Sequence, residues 1–238
     1  MKTKILALLI TASFVSCDPN TFSNVLDGVG GVGNVPLTNE QIAGGLKQAL
    51  EIGIQEGSSK LSQVNGYLES PYKILLPEEA RKVTDKLQNI PGFSQLEAEI
   101  IEKINRGAED AAKKAFPIFK DAITQMSFQD ALGILMGEQD AATSYLNRVT
   151  YQNLYNEFSP VIVESLDKFQ ARKVWSDATT AYNRIPFVDQ VNTDLGDYVT
   201  QQALIGLFSM VEKKEVQIRE DVSARTTDLL RKVFAKQD

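Results

Sequence analysis

The sequence predicts an all-α protein, a single irregular multi-helix domain of about seven to nine helices behind a flexible N-terminal tether. Apolar residues return every three or four positions in segment after segment from Thr38 onward, the spacing of one helical face. No segment shows the apolar–polar alternation of a strand. Prolines, glycines and capping residues punctuate the periodic runs at helix-length intervals, with no repeat of fixed period.

Thr38 is suited to cap the first helix, with Gln41 three residues on completing a capping box. Ile42, Leu46, Leu50 and Ile54 then form one face, and Gly45, Ala49, Gly53 and Gly57 form a second row beside it. Glycine in a helix costs up to about 1 kcal/mol against alanine, so such a row implies close approach by another helix. Residues 65–77, with Asn65-Gly66, Pro71 and Pro77, read as an ordered loop. Pro77 with Glu78 and Glu79 opens a second helix, ended by Pro91-Gly92. A longer one is expected from about Ser94 to Met126, kinked or split at Pro117. Ser127 with Asp130 caps a short helix through Met136, closed by Gly137. From about Gln139 to Arg184 the pattern is helical again, with an interruption expected at Pro160. Asp194 caps the next helix, which carries Val199, Ala203, Leu207 and Val211 on one face, and Ser223 begins a terminal helix.

The N terminus has the layout of an export signal. Lys2 and Lys4 precede an apolar run from Ile5 to Ile10, too short to span a bilayer, and Ser13-Phe14-Val15-Ser16 leads into Cys17. A small residue directly before a lone cysteine is similar to a bacterial lipobox, in which the thiol is acylated and becomes the first mature residue. An ordinary signal peptide that carries a cysteine is the alternative. Residues 1–16 are thus read as signal peptide, 17–37 as lipidated cysteine and flexible linker, and 38–238 as the helical domain. The expected place is the bacterial cell envelope, outside the cytoplasm and in either membrane, with the membrane itself contacted through acylated Cys17. At roughly 0.8 kcal/mol per buried CH₂, two or more acyl chains anchor stably.

Within that linker, Gly28, Gly30 and Gly33 match the spacing of a dinucleotide-binding loop. No strand-like run precedes them and Pro36 interrupts before the next helix, so the nucleotide reading is discarded.

Composition excludes more than it identifies. The 238 residues carry 25 Lys+Arg against 31 Asp+Glu and no histidine. Without residues 1–16, which hold two lysines and no acid, the balance is 23 against 31, a net charge of −8. Acidic character argues against nucleic-acid binding and against adhesion to anionic lipid heads. No histidine and one cysteine exclude Ser-His-Asp and Cys-His catalysis, ordinary zinc sites and di-iron bundles. No cofactor and no metal is expected. A domain of roughly 200 residues buries about 70% of its unfolded surface and needs no disulfide.

Several stretches read together are more specific than any one. They are Asn65-Gly66-Tyr67-Leu68 with Tyr72-Lys73-Ile74, Phe119 to Ile123 followed by Met126 to Ala131, and Gly137 with Ala141 to Leu146. Asp197 to Thr200, Ala203 to Phe208, Ile218-Arg219 and Ala224 to Leu230 complete the set. In this order they resemble a family of uncharacterised bacterial envelope proteins, a domain of unknown function, over about residues 40–235. The resemblance implies one helical domain and an exported location, and supplies no catalytic or ligand residues.

Carboxylate chemistry survives the loss of histidine. Glycoside cleavage needs one protonated and one ionised carboxyl about 5 to 10 Å apart, and Asp121 and Asp130 are the candidates. The plainer reading is that Asp130 caps the Ser127 helix and Asp121 pairs with a cation. Asp189, Asn192, Asp194 and Asp197 could offer oxygens to Ca²⁺, but their spacing is not that of an EF-hand, and a turn with an N-cap accounts for them. Arg219 and Arg225, near a helix start, could hold a phosphate or carboxylate ligand; an ion-pair network with Asp221 and Asp228 is the alternative. Tyr145, Tyr151, Tyr155, Phe158, Phe169, Trp175 and Tyr182 could stack on sugars, though their helical spacing fits core packing. The function expected is a lipid-anchored envelope binding or scaffolding module, with self-association or a protein partner. A carboxylate-dependent hydrolase acting on cell-wall glycans and a carrier of lipid or small apolar ligands are the alternatives.

Overall fold

The computed structural model describes residues 37–76, 78–89, 94–168, 170–188 and 194–235, and the core helices are built on the apolar rows of the sequence. Residues 1–16, read above as a signal peptide, lie outside the described residues, as do Cys17, Gly28, Gly30, Gly33, Pro77, Pro91-Gly92, Phe169, Asp189 and Asn192.

Helix α1 (Asn39–Leu61) opens directly after Thr38 and buries Ile42, Leu46, Leu50 and Ile54 together with the glycine row. That row does admit other helices closely. A Cβ at Gly45 would stand 2.6 Å from Val233 Cγ2, and one at Gly57 would stand 3.0 Å from Met210 Cγ.

The chain continues through α2 (Glu78–Leu87), α3 (Leu96–Ala112), α4 (Ala115–Gln125) and α5 (Phe128–Leu135). The long helix expected from Ser94 to Met126 is split before Pro117. Pro117 takes the third position of α4, where a backbone N–H would have no acceptor within the helix. Ser127 and Asp130 form a reciprocal capping box at the start of α5.

Helix α6 (Ala141–Lys168) runs unbroken through Pro160, against the expected interruption. Both Pro160 and Asn156, whose carbonyl the proline leaves without an amide, are exposed, so water can satisfy the orphan. The break falls instead at Gln170, whose φ of 58° turns the chain into α7 (Ala171–Asn183). Helix α8 (Leu195–Glu220) starts at Asp194, which accepts from Gly196 N at 3.0 Å. Ser223 lies in a 3-10 turn (Val222–Ala224), and Thr227 rather than Ser223 caps the last helix, α9 (Asp228–Phe234).

Among the described residues there are nine α-helices and no strand, so the protein is all-α, with one irregular helical domain. Helices α6 and α8 pack along each other, α3 covers α6, and α1 lies against α8 with α4, α5 and α9 around it. Leu146, Leu154, Phe158, Ile162, Val199, Ala203 and Leu207, all with no exposed surface, form the seam between the two long helices and their neighbours.

Candidate functional site

The two arginines singled out in the sequence are buried, with Arg219 at 7% exposure and Arg225 at 1%. A buried guanidinium must be hydrogen-bonded and charge-balanced to persist. Arg219 donates to Glu215 through Nε and Nη2, at 3.0 and 2.8 Å, one turn back on α8. Its Nη2 also reaches Ile134 O at 2.8 Å, at the C-terminal end of α5. Glu215 in turn accepts from Ala142 N at 2.9 Å, Thr143 N at 2.8 Å and Thr143 Oγ1 at 2.9 Å, the first turn of α6. Arg225 donates to Ile218 O at 3.0 Å and Arg219 O at 2.9 Å, closing the end of α8, and its guanidinium lies 5.8 Å from the Phe234 ring centre.

One carboxylate and two guanidiniums therefore hold three helix ends, anion at an N terminus and cations at C termini, as the helix dipole favours. The partner of Arg219 is Glu215. Asp221 instead accepts from Ser223 N, and Asp228 pairs with Arg231. The cavity beside this node, lined by Leu46, Leu50, Ala142, Glu215, Arg219 and Phe234, has a volume of about 10 Å³. That is room for about one water and not for a phosphate.

A second polar clamp orders the loop after α1. Asn105, with no exposed surface, accepts from Ile74 N at 2.8 Å and donates to Ile74 O at 2.9 Å. Glu109, one turn on, accepts from Tyr67 N and Leu68 N, both at 3.2 Å, and pairs with Arg106 at 2.9 Å. The Tyr67 hydroxyl donates to Ala203 O at 2.7 Å, and Tyr198 donates to Leu75 O at 2.7 Å. The loop is thereby strapped along α8, where Gly206 makes room for the Tyr67 ring.

The carboxylate candidates occupy ordinary positions. Asp121 is exposed on α4. Asp130 serves the capping box, and its hydrogen bonds from the Ser127 hydroxyl and amide hold its carboxyl below the usual carboxylate range. Asp194 caps α8, and Asp197 accepts from the Tyr155 hydroxyl and from Gln201 Nε2 at 3.2 and 3.0 Å. Among the described residues no group of three or more acidic or cysteine side chains is placed to hold a metal ion.

The aromatics divide between core and surface. Phe158, Trp175 and Tyr182 are buried. Phe119, Phe208, Tyr151 and Tyr155 form a ladder from core to surface. Phe119 meets Phe208 edge-on at 5.6 Å, and Phe208–Tyr151 and Tyr151–Tyr155 stack at 6.5 Å each. At its outer end the Tyr155 hydroxyl is pushed up to about 12, first by its hydrogen bond to Asp197, then by burial and by the charges of Asp197 and Asp194. Ile205, 56% exposed, lies one turn beyond Gln201 on the same α8 stripe as Asp197.

These features define an all-α domain whose buried ionic groups fasten its own helices. The chain belongs to the family described as Protein of unknown function (DUF4197), whose model matches residues 36–235. No curated protein and no solved structure matches the chain.

Proposed function

We propose that this protein is a lipid-anchored component of the cell envelope whose helical domain works as a binding or scaffolding module without catalysis of its own. The observation that carries this reading is the use of Glu215, Arg219, Arg225, Asn105 and Glu109. Each is buried, and each holds a helix end or a loop backbone of the chain itself. Chemistry in a closed site would need such groups to have capacity left for a substrate. Recognition then falls to the surface.

The anchor rests on the signal-like residues 1–16 and on Cys17. No helix of the described residues is long and apolar enough to cross a membrane, so an acyl chain would supply the attachment. The glycan hydrolase draws no support from Asp130, which is held ionised and committed to its cap, whereas glycoside cleavage needs one carboxyl kept protonated. A lipid carrier draws none from the cavity at α1 and α8, which is far below the about 300 Å³ of a ligand pocket.

Growing expressing cells with an alkynyl fatty acid tests the anchor. Label should appear in the chain, disappear in Cys17→Ser, and leave the substituted protein unattached to membranes. An unsubstituted chain that takes up no label, or a Cys17→Ser protein that stays membrane-bound, contradicts it. Cross-linking at native abundance tests the module: a defined adduct with a protein partner or a second copy is expected, and a chain that is solely monomeric argues against it.

A further inference from the structure

The aromatic ladder ends at a surface with an unusual charge balance. Among the described residues no cation pairs with Asp197, and its three hydrogen bonds come from the neutral donors Tyr155 and Gln201. Neutral donors orient a carboxylate without cancelling its charge. The rings of Tyr145, Phe116 and Phe234 each carry a cation of this chain at 5.5 to 5.8 Å, from Arg148, Lys120 and Arg225. Tyr151 and Tyr155 carry none among the described residues, although they are half-exposed and stacked. A phenol that donates to a carboxylate is polarised toward phenolate, which makes the face of its ring a better seat for a cation.

We propose that Tyr151, Tyr155, Asp197, Gln201 and Ile205 form a docking surface for an arginine-bearing segment of a protein partner. The inference rests on the binding-module reading above and names the face and the chemistry of its ligand. Arginine fits better than lysine, because a planar guanidinium can stack on the Tyr155 ring while its edge donates to Asp197. Ile205 offers an apolar contact for the methylene stem or a neighbouring side chain. Charge complementarity excludes an anionic lipid surface as the occupant, since Asp194 and Asp197 both face Tyr155 and the chain as a whole carries a net charge of −6.

The test uses the full chain with ¹³C-labelled tyrosine, observed by NMR. The probes are a Gly-Arg-Gly-Arg-Gly peptide and its citrulline counterpart, which has the same shape without the charge. The arginine peptide is expected to shift the Tyr151 and Tyr155 resonances saturably, about tenfold more tightly than the citrulline peptide. Asp197→Asn, which keeps an acceptor for the tyrosine, is expected to weaken binding about five- to tenfold. Ile205→Lys, at a position 56% exposed where a long polar side chain reaches water, should block it by seating a cation in place. Equal binding of the two peptides, or binding unchanged in both variants, overturns the proposal. So does an N-acetylglucosamine oligomer that shifts the same resonances independently of Asp197. A defined protein partner whose cross-link survives both substitutions overturns the face and leaves the binding reading standing. Neither peptide binding nor any cross-linked partner overturns both.

Discussion

Replacing Glu215 by alanine removes a buried acceptor shared by the start of α6 and the Arg219 guanidinium. Glu215 is 6% exposed and accepts from Ala142 N, Thr143 N, Thr143 Oγ1 and the Arg219 guanidinium, all between 2.8 and 3.0 Å. Truncation leaves two amides of the first turn of α6 without an acceptor, at about 1 to 3 kcal/mol for a buried donor. It also strips Arg219 of its counter-charge, for which losses of about 3 to 5 kcal/mol are typical. The two penalties share one geometry and do not add, so a total of about 4 kcal/mol is expected, a large share of the about 5 to 15 kcal/mol of a whole domain. Urea unfolding followed by far-UV circular dichroism at pH 7 reads it. The pair Glu215→Leu with Arg219→Leu should cost clearly less than the two single changes summed, because no charge is left buried alone. A Glu215→Ala loss below about 1 kcal/mol, or simple additivity of the pair, would refute the reasoning.

Four further outcomes follow from the same geometry. Gly44→Ala, with nothing within 4 Å of the added carbon, should stabilise by up to about 1 kcal/mol, whereas Gly45→Ala, aimed at Val233 Cγ2, should destabilise despite the same gain in helix propensity; thermal melts compare them. Asn105→Ala removes the paired bonds to Ile74 and should cost about 2 to 3 kcal/mol, with hydrogen exchange at the Ile74 amide accelerating more than at α8 amides. In ¹³C-tyrosine NMR, Tyr155 should titrate at about 12, and Asp197→Asn should bring it down toward the ordinary value of about 10. At the acid end, Asp130 and Asp221 are held low by Ser127 and Ser223. At Asp110 burial raises the carboxyl, but hydrogen bonds from Lys113 and Ser165 and the charges of Lys113 and Lys168 outweigh it. Carboxyls lower in the folded state contribute stability above their unfolded value of about 4, and that stability fades as pH falls through the folded values. Urea midpoints measured from pH 6 down to 3 should therefore drop, less steeply in Asp130→Asn.

What could be read from the sequence was local. The Ser127–Asp130 box, the Asp194 cap and the glycine row of α1 are patterns within three or four residues, set by helix geometry alone. The break at Gln170 carries no glycine or proline to announce it, while Pro160 looks like a breaker and sits harmlessly on an exposed face. Arg219 and Arg225 are conspicuous in the sequence, where the nearby aspartates, Asp221 and Asp228, are the partners on offer. The true contacts of Arg219 are Glu215, one turn back, and a carbonyl 85 residues away. Glu215 passes for a solvated acid on a charged helix until α6, 73 residues away, brings its N terminus to it. The Tyr155–Asp197 link likewise spans 42 residues, so their joint surface could not be assembled from spacing.

The most direct test of surface recognition places a photo-reactive phenylalanine at Ile205 in the full chain, in the cells that express it, with a control at exposed Lys173 on α7. A single protein adduct formed at Ile205, absent at Lys173 and abolished by Asp197→Asn, is the predicted result. Adducts equal at both positions, or none at Ile205, would contradict the account.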